Sequence, residues 1–377
     1  MTRDRDLLRI GFTVGGLGRG GAELQLLRLA AGLIDRGHLV HVLAYDGTSV
    51  LDDQFRDAGV ELVAERADTR AAKVNAVRRW QRSTGVSVVH AIMKRASTAA
   101  VLARWPRRRP AVVASDYSSA TYSARGPVLW GSLAAFALAD RVVTETELNR
   151  ASLERLAPWL RGKTLVVRNG LDLEAFRPAR RPEPRPDDRF VFCAVGTLSR
   201  VKNPVRVVEA AAELRGRGHD AFRIDWYGRD APVARDDLGT AARARAAELG
   251  LQRHVVFHGD TPEIAVAYRR SDALLHASLQ EGFPNAVAEG LASGLPVVVS
   301  RVSDLPLVVA EARNGYVFDE TDPAAIADAM ERLMGRPAEE RRAMGTRSRE
   351  LAERWFTMQR FIDAFEQLYR SLVERRP

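Results

Sequence analysis

Cysteine is almost missing from this chain: Cys193 is the only one in 377 residues, and it lies in the apolar run Phe190-Val191-Phe192-Cys193-Ala194-Val195. A single thiol forms no internal disulfide, so stability must come from packing, and a reducing, cytoplasmic compartment is the expectation. Lysine is scarce too, with Lys73, Lys94, Lys163 and Lys202 alone. Long apolar runs are lacking. The longest, Val128 to Ala139, falls short of the roughly 20 residues that span a bilayer. The stretch Leu7-Leu8-Arg9-Ile10-Gly11-Phe12 is broken by Arg9 and runs into a glycine loop, which argues against a secretory signal. HExxH, CxxC and Walker sequences do not occur. His254 and His258, four apart on an expected strand, would sit about 13 Å from each other, too far to share a metal.

What is present suits a large α/β protein. At 377 residues the chain exceeds one core, and its 46% hydrophobic content can fill two. Apolar runs at Leu7–Val14, Leu39–Tyr45, Ser87–Ile92, Ala111–Ala114 and Arg141–Thr144 read as strands, alternating with helical patterns near 21–36, 70–83, 95–104, 127–138 and 146–157. A segment at 177–189, with Pro178, Pro182, Pro184 and Pro186 among charges, reads as a linker. The alternation then restarts, with strands near 190–197, 222–228, 254–258, 273–278, 296–300 and 315–318, and the chain closes in a helical stretch, Pro337 to Arg375. Such alternation implies parallel sheets covered on both faces. The expectation is two doubly wound Rossmann-like domains facing across a ligand cleft.

The formal charge of +9 is carried by arginine and suits anionic partners. Two clusters pair Arg with Trp, at Arg78-Arg79-Trp80-Gln81-Arg82 and Arg104-Trp105-Pro106-Arg107-Arg108-Arg109. They suggest peripheral contact with an anionic membrane face, against a solvated basic surface as the plainer account. Nucleic acid is not expected, because no recognised binding module accompanies the charge.

The stretch that organises the second half is Glu281-Gly282-Phe283-Pro284-Asn285, continuing to Glu289. It follows the apolar run Ala273–Ser278 and precedes Gly294 and Pro296, so it reads as a strand-to-helix turn and a helix. Glu281 falls in the turn; Glu289 shares a helix face with Asn285, four positions earlier. Free N–H groups at a helix start suit a phosphate, and carboxylates accept bonds from sugar or ribose hydroxyls. A second anion-binding candidate runs from Gly196 through Thr197 and Arg200 to Lys202, a strand end with two cations at a helix start. The first loop, Gly15 to Glu23, contains GxGxxG at Gly16, Gly18 and Gly21, with Asp46 where a dinucleotide fold keeps its ribose-binding acid. By itself that suggests a nicotinamide-dependent oxidoreductase, but the pattern is weak and leaves the second half unexplained.

These residues resemble glycosyltransferase family four, retaining enzymes of the GT-B fold. The likeness spans nearly the whole chain: Gly20-Gly21-Ala22-Glu23, Arg168-Asn169-Gly170-Leu171-Asp172 with Phe176, Gly196 to Lys202, Trp226-Tyr227-Gly228, Val255 to Gly259 including His258, Ser278, Glu281 to Glu289, and a closing aromatic helix near Trp355-Phe356. The resemblance implies domains at 1–176 and 190–354, with residues 355–377 returning to the first. It implies that Glu289 holds a nucleotide ribose and Glu281 the hydroxyls of a transferred sugar. Phe283 and Asn285 backbone groups, with Lys202 and Arg200, would hold the diphosphate of a UDP- or GDP-sugar, beside Gly282, Pro284, Ser278 and His258. Gly16, Gly18, Gly20 and Gly21 would face donor and acceptor. No cofactor and no metal are implied, and Asp4-Arg5-Asp6, with the D-x-D spacing of metal-dependent sugar transferases, reads as solvated charge.

Two departures stand out. The family often has Arg after the glycine equivalent to Gly196; here Thr197 stands there, and Arg200 is the substitute. The family's active-site His falls near Ser115-Asp116-Tyr117, where none occurs, so His90, at a strand end, is the alternative catalytic and acceptor-side candidate beside Asp116 and Tyr117. The expected activity is transfer of a sugar to a glycan, lipid-linked or small-molecule acceptor, in the cytoplasm or at the inner membrane face. A non-catalytic nucleotide-sugar sensor and a GT-B epimerase are the alternatives.

Overall fold

The computed structural model describes residues 7–18, 20–47, 50–106, 109–117, 127–179, 188–231 and 237–374. The Asp4-Arg5-Asp6 motif, Arg19, Arg107, Arg108 and residues 180–187 of the expected linker lie outside them. The chain divides into two compact units, one of Met1–Gly170 with Met358–Pro377, the other Leu171–Thr357.

The first unit holds β1 (Arg9–Val14), α1 (Gly21–Asp35), β2 (Leu39–Ala44), α2 (Asp52–Asp57), β3 (Glu61–Ala64), α3 (Arg70–Thr84), β4 (Val88–Ala91), α4 (Met93–Arg104), β5 (Ala111–Asp116), α5 (Pro127–Leu138), β6 (Arg141–Thr144), α6 (Glu147–Leu156) and β7 (Thr164–Val166). Its parallel sheet runs β3-β2-β1-β4-β5-β6-β7. Central β4 and β5 are buried along their whole length, because helices cover both faces of a parallel sheet. Thr69 and Thr146 start α3 and α6 by accepting from Ala72 N and Asn149 N, the N-cap bond that satisfies an orphan donor.

The second unit holds β8 (Phe190–Val195), α7 (Pro204–Gly216), β9 (Phe222–Tyr227), α8 (Gly239–Glu248), β10 (Val255–Gly259), α9 (Ile264–Arg269), β11 (Ala273–His276), α10 (Asn285–Ala292), β12 (Val297–Ser300), α11 (Leu305–Ala312), β13 (Gly315–Phe318), α12 (Pro323–Met334) and α13 (Ala338–Trp355). Its parallel sheet runs β10-β9-β8-β11-β12-β13. In both sheets the order reverses beside the first strand, between β1 and β4 and between β8 and β11. The carboxyl ends of strands at such a reversal leave a crevice where ligands bind in open α/β sheets.

The boundaries differ from those expected. The division falls at Gly170–Leu171 rather than after 176, and Pro178, expected in the linker, packs under Gly294 within the second unit. The helical stretch Pro337–Arg375 is two helices: α13, and α14 (Met358–Glu374), separated where Leu171 pairs with Thr357. α14 belongs to the first unit. It buries Phe361, Ile362, Phe365, Leu368, Tyr369 and Leu372, a helical stripe that joins the core of β1, β2 and α1. Trp80, read as an interfacial anchor, is a core residue instead. It is 4% exposed, in the cluster of α3, α4 and β4, against the face of Gly11. Among the described residues, no helix is long and apolar enough to cross a membrane.

Candidate functional site

At the reversal in the second unit, β8 is followed by Gly196, whose φ of 150° an L side chain rarely adopts. Its carbonyl accepts from Trp226 Nε1 at 2.8 Å, and its N–H donates to Tyr227 O. Gly228 lies so close that an added Cβ would stand 2.1 Å from Gly196 O. The turn then closes on Asn203, which has a left-handed φ of 62° and precedes Pro204 at the start of α7. Asn203 Nδ2 donates to Ala277 O and Glu320 O, and Leu279 N donates to Val201 O. The basic turn is thereby fastened to the segment after β11.

This brings Lys202 and Glu281 together. The lysine stem crosses the bare face of Gly196, and Nζ lies 2.5 Å from Glu281 Oε1. The same oxygen is 3.2 Å from Nε2 of His276, the last residue of β11. Burial disfavours the Glu281 charge, but Lys202 and His276 outweigh it and hold the carboxyl well below the usual range. His276, fully enclosed, is shifted the other way: burial holds its imidazole below its ordinary value, against the opposing pull of Glu281. It is neutral at pH 7.

Pro284 caps α10, and Phe283 anchors the turn against the ring of Phe356, 5.1 Å away. Ser303 Oγ donates to Gly282 O. Glu289 accepts from the buried Tyr268 hydroxyl at 3.0 Å. Ser278 Oγ is buried with no hydrogen-bond partner among the described residues. Arg200 is exposed in the same turn as Lys202, and Thr197 is half-buried. His258 is set apart, at the end of β10 two strands from β8. It stacks on Tyr227 at 4.6 Å and bonds Asp225 Oδ1 at 3.0 Å; Asp225 also pairs with Arg223.

At the reversal in the first unit lies the glycine loop. Gly15 O accepts from Tyr45 N and Asp46 N, and Leu17 is buried beneath the loop. Gly18 has open space where a Cβ would be, whereas Gly20 abuts Glu23. Gly16 is half-buried, and Gly21 opens α1. Asp46, the acid of the dinucleotide pattern, is paired with Lys73 at 2.6 Å.

His90 does not offer a nitrogen to a substrate. It is fully buried, with Nδ1 2.7 Å from the Tyr369 hydroxyl and Nε2 2.9 Å from Ser115 Oγ, among Phe12 and Phe365. Ser115 Oγ donates to Ala91 O, so at His90 it accepts from Nε2–H and Nδ1 takes the tyrosine proton. Burial pushes this neutral imidazole down to about 3. The catalytic and acceptor-side expectation for His90 is therefore corrected: it is a hydrogen-bonded core residue, covered by α14. Asp116 is buried at the end of β5, 3.4 Å from Lys94, and Tyr117 packs partly buried beside it.

Sequence reasoning passed over His276, Tyr268 and Asn203. The one legible signal is His276 itself, a titratable residue inside the otherwise apolar run Ala273–Ser278.

Two parallel α/β units, each with a glycine turn at its strand-order reversal, define the GT-B class. Solved structures agree in fold: Anabaena HepE in complex with UDP (TM-score 0.82, 17% identity, 97% of this chain and 100% of that one) and sucrose-phosphate synthase from Thermosynechococcus elongatus (TM-score 0.80, 19% identity, 97% and 99%). Sequence profiles for Glycosyltransferase Family 4 and for Glycosyl transferases group 1 match residues 19–175 and 176–351. The chain belongs to glycosyltransferase family four. Curated relatives include D-inositol 3-phosphate glycosyltransferases of Corynebacterium urealyticum, 31% identical over 62% of this chain and 57% of the relative, and of Acidothermus cellulolyticus, 33% identical over 52% and 46%. The matched segments thus span about half the length of these relatives.

Proposed function

We propose that this chain transfers a sugar, with retention of configuration, from a nucleotide-sugar donor to a glycan, lipid-linked or small-molecule acceptor. The observation that carries the reading is the meeting of Lys202 and Glu281 at the strand-order reversal of the second unit, next to the N-terminus of α10. Lys202, Arg200 and the first N–H groups of α10 would take the diphosphate, so that charge developing on the leaving group is met without a metal. Glu281 would accept from sugar hydroxyls, and Glu289, steadied by Tyr268, from the ribose. The anomeric carbon–oxygen bond breaks first; the electron pair stays on the diphosphate. The acceptor oxygen then bonds the oxocarbenium carbon on the same face, and its proton passes to the leaving phosphate oxygen.

UDP-sugars are the first donors to try, since HepE is described in complex with UDP and with UDP-glucose. D-inositol 3-phosphate, named in the relatives, is the first acceptor. In a thermal-shift screen of UDP-, GDP- and ADP-sugars, the right donor at a hundred times its Kd adds about 2.7 kcal/mol of stability. Glu281→Ala and Lys202→Ala are each expected to abolish that shift and sugar transfer; retention of both by the two variants overturns the reading. A non-catalytic sensor is the second reading, favoured by the burial of His90, and donor turnover excludes it.

A lipid-linked acceptor would require the protein to reach a bilayer, and the first unit has a surface suited to an anionic one. α5 carries no charged residue, and its Trp130 and Leu138 are 61% and 50% exposed. On neighbouring α4, Leu102 is exposed, and Trp105 just beyond it is 62% exposed. Residues 93–109 contain six cations and no acid in sequence, although two of the six, Lys94 and Arg104, are paired within the fold with Asp116 and Asp140. Interfacial Trp beside arginines fits anionic headgroups, each cation near the surface adding about 1 kcal/mol. Co-sedimentation with phosphatidylglycerol vesicles is expected, weakened at high salt and in Trp105→Ser/Trp130→Ser. Equal binding to phosphatidylcholine, or none, removes the membrane from the proposal.

A further inference from the structure

The two bonds made to Glu281 converge on one atom. Lys202 Nζ and His276 Nε2 both address Oε1, and among the described residues neither is aimed at Oε2. These donors differ in kind. Lys202 sits on the turn of Gly196 to Asn203 with about a quarter of its side chain exposed, on a flexible stem that can swing toward an incoming anion. His276 ends β11, fully enclosed, its backbone in register with Val299 of β12, and its ring cannot follow a ligand. If the reading above holds, the diphosphate draws Lys202 away at the moment when Glu281 must present an oxygen to the sugar. A carboxylate 13% exposed that lost the Lys202 cation would be pushed to take up a proton or turn in its pocket.

We propose that His276 is the positioning residue of the donor-sugar subsite: through Nε2–H it pins Oε1 of Glu281, so that Oε2 faces the sugar hydroxyl while Lys202 engages the diphosphate. A neutral donor suits this part. It keeps the acceptor oxygen anchored without adding a second cation that would compete with the phosphate for Lys202. Among the described residues, the charged groups that act on His276 are Glu281 and Lys202. Nothing in this role transfers a proton or forms a bond. His276 acts through Glu281 and does not touch the reacting atoms.

The proposal rests on the donor-site reading, and the experiment separates the two. His276→Gln keeps an N–H donor near the place of Nε2; His276→Leu removes it at similar volume. A hydrogen bond to a charged group is worth about 1.5–3 kcal/mol, so loss of this one corresponds to roughly ten- to a hundredfold. The Leu variant is expected to bind UDP as wild type does, to lose about that factor in affinity for the UDP-sugar and in kcat/KM, and to move the acid limb of kcat/KM to higher pH. The Gln variant is expected to restore all three to within a few-fold of wild type. Equal loss of UDP and UDP-sugar binding in both variants, or no loss in either, overturns the positioning role. Failure of the wild-type protein to bind any nucleotide sugar overturns the donor-site reading instead. Should the Leu variant not fold, the Gln variant decides: a soluble Gln variant with weakened UDP-sugar binding and no recovered acid limb refutes the claim that a donor here suffices.

Discussion

Glu281 is nearly enclosed and still ionised, a state that burial alone forbids and Lys202 sustains. Because its carboxyl in the fold titrates below its unfolded value, the pair stabilises the protein at neutral pH. That contribution is present above about pH 4.5 and is lost as the pH falls toward the folded value. Lys202→Met removes the largest compensating charge and leaves burial opposed only by His276. The acid unfolding midpoint, followed by circular dichroism, is therefore expected to move to higher pH; an unmoved midpoint would show that the ion pair adds nothing to the fold. Glu281, Glu289, Lys202 and the glycine of their turn could be read from the sequence because they lie on short segments whose strand-turn-helix form is local. His276 could not be given its role that way, since its partner is set by how the turn after β11 folds back. His90 misled for a related reason. A strand end looked open to a substrate, but the ring is sealed by Tyr369, 279 positions along the chain.

α14 shows what an element can conceal. Its apolar stripe announced a packed helix, and its partners, β1, β2 and α1, lie at the other end of the sequence. Phe365, fully buried there against the rings of His90 and Tyr369, is the residue whose loss the element feels most. Phe365→Ala is expected to cost about 3–5 kcal/mol, read as a fall in the denaturant midpoint at constant slope. Substitution to Leu should cost much less, because most of the volume remains. Two strands, β3 and β7, and the short α2 escaped sequence reading. They are brief or lie at sheet edges, where burial on one side leaves no continuous apolar run. The break between α13 and α14 is not written in the apolar pattern, because both helices are amphipathic and the change of unit at Thr357–Met358 carries no proline or glycine to mark it; only the family resemblance led to a boundary being expected, three residues earlier at 354–355.

For the whole molecule, the two units differ in how the chain supplies them. The second is one continuous segment, 171–357, whose apolar clusters, among the described residues, draw on that segment alone. The first needs both ends, since residues 361–372 fill part of its core. A fragment of residues 171–357 is therefore expected to unfold cooperatively and, under the proposed donor-site reading, to match the full chain in UDP affinity. Residues 1–170 alone should lack a cooperative transition until α14 is supplied, and a sharp melt for that fragment would contradict the assignment of α14 to its core.

Sequence alone determined the class of architecture, because the period of apolar runs separates strands from helices before any contact is made. It also determined that carboxylates and cations stand on turns suited to an anion and hydroxyls, because turn chemistry is written in neighbouring positions. Tertiary structure decided which of those residues meet. Lys202 reaches Glu281 across 79 positions, His276 joins them from a strand end, and His90 is withdrawn into a core closed by the last helix. Such pairings depend on strand order and on which distant element covers which face, and neither is encoded by local periodicity.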